Sequence, residues 1–178
     1  MIGYSEVLQT MAAMIIFSVI LMNANRMIHR NTVVQIDSEY ENEIIALGQE
    51  IIVEAREKSF DQITVGAAAP PADIPGDFSV SGNLGSDTGE TLRTNFNDFD
   101  DYNGWTETIT TTHGDFSISV EVFYVEDVNA SADIYDYQKV TNQTTFKKIE
   151  VTINSDFLRS GDDPKNYTLE FIRNYYAD

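Results

Sequence analysis

The sequence predicts an α+β fold: a long N-terminal helical spine over about residues 3–58, with an antiparallel β-sheet head packed on its C-terminal half. Three observations predict it. Residues 7–25 carry no charged side chain, and no proline occurs between Ile2 and Val65. Past the apolar run, Ile36, Tyr40, Ile44, Leu47, Ile51 and Ala55 recur at steps of three and four, which marks one face of a helix. After residue 105 the pattern changes to alternation with period two, as in strands buried on one face.

The spine divides into an apolar part, residues 1–26, and an amphipathic continuation, residues 27–60. A bilayer span takes about 20 apolar residues. The run of 19 uncharged residues is therefore just long enough. Glu6 precedes it, and Arg26, His29 and Arg30 follow it. No Lys or Arg stands ahead of the run, no clean small-x-small cleavage motif follows, and the helical pattern continues without a break, so a permanent helix is expected rather than a cleaved signal. At 1.5 Å per residue the whole helix would be about 85 Å long. Its first half must then be buried in lipid or in copies of itself. Gly48 is the expected weak point, at a cost of about 1 kcal/mol.

Residues 61–105 read as a connector rich in Gly, Pro, Ala and Ser, with at most a short strand at 78–80. Residues 106–178 read as the sheet. Alternation predicts strands near 106–112, 116–125, 146–155 and 167–175. Phe116, Ile118, Val120, Val122 and Tyr124 share one face, as do Tyr167, Leu169, Phe171 and Arg173. Residues 113–115 and 160–164 are the expected turns.

Charge narrows the function. The chain of 178 residues has a formal net charge of −18. Residues 1–60 hold 8 acids and 4 bases, while residues 61–178 hold 21 acids and 7 bases. An acidic head of this kind repels nucleic acid, so no nucleic-acid partner is expected. There is no cysteine, hence no disulfide and no zinc–thiolate site. Gly-rich phosphate loops, HExxH and GxSxG are absent, and no enzyme activity is expected.

Two sets of residues are candidate sites in the head. Asp98, Asp100, Asp101 and Asn103 gather oxygen ligands around a glycine, as a Ca²⁺ loop would. No Glu closes a twelve-residue EF-hand loop, and the competing reading, which the spacing favours, is a solvated turn whose side chains cap backbone amides. No other cofactor is expected. Asn129, Asn142 and Asn166 each begin an N-x-S/T sequon, which matters only where a glycosylation system exists.

The N-terminal stretch GYSEVLQTMAAMIIFSVILM and the acidic stretch LGSDTGETLRTNFNDFDDYNGW at residues 84–105 resemble type IV pilin-like proteins, a group of pilins, minor pilins and type II secretion pseudopilins. The acidic stretch looks like the head loop of minor pilins of the mannose-sensitive haemagglutinin type. The resemblance implies a structural subunit of an extracellular filament, held in the inner membrane before an assembly machinery adds it to copies of itself. Spine residues Met11, Ile15, Phe17 and Ile20 would line the filament core. Glu6 would meet the N-terminal amine of a neighbouring subunit; the residues by themselves also fit an ordinary helix-start acid favoured by the macrodipole. The alternatives are a minor pilin or secretion pseudopilin, or a monomeric membrane-anchored binding domain outside the cytoplasm.

Overall fold

The computed structural model describes residues 3–129, 135–160 and 163–177. It is an α+β fold: one helix, α1 (Tyr4–Glu57), and a five-stranded antiparallel sheet packed against its C-terminal part. The helix runs without interruption through the apolar segment. The chain divides into two compact units, Met1–Asn42 and Glu43–Asp178. The first unit is helix alone. The second holds the end of α1 and the head.

In the head, β1 (Thr106–Thr111), β2 (Gly114–Asp127), β4 (Phe146–Ser160) and β5 (Asp163–Asn174) lie in the order β1-β2-β4-β5. The short β3 (Tyr137–Lys139) pairs with the end of β2. Alternation gives β2, β4 and β5 their common inner face. Phe116, Ile118, Val120, Val122 and Tyr124 of β2 are buried there, beside Ile149, Val151 and Ile153 of β4. β3 escapes the sequence reading because three residues are too few to show a period. Between β1 and β2 the chain reverses through Thr112 and His113 into Gly114, whose φ of 126° suits glycine. The expected 160–164 turn lies partly outside the described residues.

Ile44, Gly48, Ile51 and Ala55 are the buried stripe of α1. Gly48 is therefore a packing site and not the weak point its type suggested. A Cβ there would stand 2.9 Å from Cδ1 of Leu169 on β5. Glycine lets helix and strand approach, and that contact offsets its poor helix propensity.

The connector is also more than a loop. Residues 78–80 form no strand, yet Phe78 is buried and packs on Phe60 with ring centroids 5.0 Å apart. The expected solvated turn at 97–104 is instead part of the core. Phe96, Phe99 and Tyr102 are buried, and so are Asp98, Asp100 and Asp101. Ser59, just after α1, bridges to Asp98, which draws this segment under the helix end. The aromatic residues explain the correction: three rings within seven residues give the segment enough apolar surface to be buried with its acids.

Candidate functional site

Two features carry the chemistry of this chain. The first is the helix surface of the N-terminal unit. Every described residue from Gly3 to Glu39 is exposed. Met11, Ile15, Phe17 and Ile20 are each about 60% exposed, at 61%, 64%, 62% and 58%. Thr10 and Ser18 donate their hydroxyls to the helix's own carbonyls, Val7 and Met14, both at 2.8 Å. The apolar segment thus presents no unsatisfied hydroxyl to a dry surrounding. Glu6 accepts the Gly3 amide at 3.2 Å, so it caps the helix start. Arg26 and Arg30 extend into solvent below the apolar run, and Asp37 stands exposed two turns further on. By length and composition this helix can cross a membrane.

The second feature is a buried charge cluster in the head. Tyr124, Lys147 and Arg173 are register partners across β2, β4 and β5, so they form one row on the inner face. Lys147 is fully buried. Its ammonium donates to Phe60 O at 2.9 Å, to Asp61 Oδ2 at 2.8 Å and to Asp100 Oδ1. The rings of Phe60 and Tyr124 wall it in, 4.7 and 5.3 Å from Nζ to their centroids. Beside it, Arg173 Nη1 donates to Lys58 O at 2.7 Å and Ser59 O at 3.1 Å, and so closes the end of α1.

The acids around Lys147 differ from one another. Asp61 accepts the Ser79 amide at 3.0 Å, the Ser79 hydroxyl at 3.1 Å and the Ile63 amide at 3.4 Å, besides Lys147. Burial works against its ionisation, but Lys147 and these donors together outweigh that and hold its carboxyl below the ordinary range. Asp100 is shifted the other way. Burial dominates, and the attraction of Lys147 does not fully offset it. Asp98 is pushed up to about 8, by burial first and then by repulsion from Asp100 and Asp101. Burial and repulsion thus favour its protonated form. Tyr124 donates its hydroxyl to Ser79 O at 2.7 Å, and burial together with Asp61 raises the phenol well above its usual range.

The geometry bears directly on the Ca²⁺ expectation. Asp98 Oδ1 accepts the Asp100 and Asp101 amides at 2.9 and 3.2 Å. Asp101 Oδ2 accepts the Asn97 and Asp98 amides at 2.8 and 3.0 Å. Asn103 is spanned between Leu84 O and the Val122 amide, both at 2.9 Å. These side chains turn to the backbone and to Lys147. Among the described residues no three acids or imidazoles are grouped to hold a metal ion. The amide-capping reading describes the bonding, although in a buried segment rather than a solvated one.

Of the sequons, Asn142 and Asn166 are exposed. Asn129 hydrogen-bonds Asp136 at 3.4 Å, and the rest of its sequon lies outside the described residues. The sequence reading passed over Lys147 and Asp61, and it placed Arg173 on a strand face without giving it a role. One signal was available for Lys147: it precedes Ile149, Val151 and Ile153 at the same period of two. Compared with protein-family models, curated proteins and solved structures, the chain matches none.

Proposed function

We propose that this chain is a structural subunit of an extracellular type IV pilus-like filament, assembled by packing of its N-terminal helices. The supporting observation is the apolar helix surface at residues 7–22, which its own chain leaves exposed. Contiguous apolar surface on this scale calls for another medium. Lipid supplies it before assembly, in the inner membrane. Copies of the same helix supply it afterwards, at about 25 cal/mol for each Å² removed from water. The assembly machinery is then a partner only in the transfer from one to the other.

Glu6 is the residue through which the two media differ. At the membrane surface its carboxylate stays hydrated and caps its own helix. In a helix bundle it would enter a dry core and require a cation, for which the N-terminal amine of a neighbouring chain is suited. Breaking such a buried pair costs about 3–5 kcal/mol. Cells carrying the wild-type chain or Glu6→Gln are sheared and the supernatant is sedimented. The wild type is expected to dominate the pellet, and the variant to fold and insert but leave the pellet nearly empty. A wild-type chain that is only a trace of the pellet is a minor pilin or pseudopilin, and one that stays with the membranes is an anchored binding domain. Normal filament yield from Glu6→Gln removes the assembly role of this acid.

A further inference from the structure

We propose that Lys147 and Asp100 condense into an intramolecular amide bond, with Asp98 relaying the proton, so that the folded head carries a covalent cross-link between β4 and the 96–104 segment. This inference concerns the head alone and does not depend on filament assembly.

In water an ammonium and a carboxylate do not condense. The protonated amine is no nucleophile, and the solvated carboxylate is a poor electrophile. Three features of the site alter both terms. First, burial of the two carboxyls disfavours their charged forms relative to the neutral acid. Lys147 is 0% exposed, and Asp98 and Asp100 are 1% and 3% exposed, behind the rings of Phe60 and Tyr124. Second, the reacting groups are already in contact, Nζ against Oδ1 of Asp100. Fixed contact of this kind replaces a bimolecular encounter with an intramolecular one. Third, a neutral acid stands next to the electrophile. Asp98 is buried beside Asp100, and its Oδ1 accepts the Asp100 amide at 2.9 Å.

The choice between the two acids on Lys147 follows from their surroundings. Asp61 is held by three further donors that stabilise its carboxylate, so it orients the amine and does not react. Asp100 has Lys147 and Asp98 instead, and its shift favours the neutral acid.

The step balances without a co-reactant. The Lys147 ammonium passes a proton to the Asp100 carboxylate. The freed amine lone pair adds to Asp100 Cγ, and the Asp98 O–H hydrogen-bonds the oxygen that gains charge. The tetrahedral carbon then loses one oxygen as water, which takes a second proton from the nitrogen by way of Asp98. One C–N bond forms, one C–O bond breaks, one water leaves, and Asp98 ends as it began. Nothing is oxidised or reduced.

The test is the intact mass of the full chain, purified in detergent and denatured. The expected mass is that of the sequence less one water, with digestion yielding one branched peptide that joins the Lys147 and Asp100 fragments. A mass equal to that of the sequence overturns the proposal. So does a water deficit without the branched peptide, which is dehydration elsewhere. Asp98→Asn preserves shape but cannot relay a proton, and it is expected to restore the full mass while circular dichroism shows a folded sheet. A branched peptide that still forms in Asp98→Asn overturns the relay. The wild-type mass stands as a test even if the variant fails to fold.

Discussion

Asp98 ionises later in the folded head than in an unfolded chain, where an aspartate titrates near 4. Its folded value of about 8 lies above that. The sign follows. Below about 4 both states hold the proton, and the group favours neither. As pH rises the unfolded chain ionises first, so stability falls until the folded carboxyl also ionises near 8. Asp61 acts in the opposite direction. Its depressed value contributes stability above its unfolded pKa, and that contribution is lost as pH falls through the folded value. Greatest stability is therefore expected near pH 4–5 on these two groups, with a loss on the order of a few kcal/mol by pH 8. Thermal unfolding at constant ionic strength should show a melting temperature roughly 5–10 °C lower at pH 8 than at pH 5. A profile that is flat or rises over that range contradicts a neutral buried Asp98. Little of this was legible in the sequence. In a chain with 29 acids, clustering of Asp98, Asp100 and Asp101 reads as surface charge. Only the third dimension sets Lys147 beneath them, although its spacing from Ile149 marks it as the inward member of the doublet Lys147–Lys148.

The helix was legible because a single period runs through it, and neither proline nor charge interrupts the apolar part. Its charges make a further prediction within the filament reading. The side chains of Arg26 and Arg30 make no hydrogen bond or ion pair among the described residues, and Asp37 is exposed on the same helix. Positions 26, 30, 33 and 37 are spaced as one helix face. Chains that leave one membrane are parallel. An axial offset of seven residues, about 10 Å, sets Arg30 of one copy against Asp37 of the next. Arg30→Asp should therefore lower filament yield severalfold, and Asp37→Arg added to the same chain should restore most of it. Sedimentation after shearing reads both. Equal yields from the single and double variants would show that register is set elsewhere. The strands were legible for a similar reason, except β3, and the connector was not. Its Gly and Pro content describes the backbone, whereas Phe78, Phe96, Phe99 and Tyr102 decide where it lies.

For the whole molecule, the division of labour is sharp. Every residue of the core is Ile44 or later, so the second unit holds the complete core of the described chain. Residues 37–178 expressed alone should keep the sheet signal in circular dichroism and melt within a few degrees of the full chain. That fragment should stay soluble without detergent and never sediment as filaments. A fragment that is unfolded would show that the apolar segment also supports the head. The α+β class and the order of spine then sheet could be read from the sequence, because each long element has its own period. The buried centre could not, since it joins residues 61, 98–101, 124, 147 and 173, which no local pattern relates.

The end of α1 has a mechanical consequence. Lys58 and Ser59 offer their carbonyls to Arg173, and Phe60 offers its own to Lys147. The two side chains are neighbours in register on β5 and β4. A pull along the helix therefore enters two adjacent strands at once, through several hydrogen bonds loaded in parallel. Such an arrangement fails only when all of them part together. Tension on the spine is passed to the sheet before it can peel the connector away, and the head resists extraction as a unit.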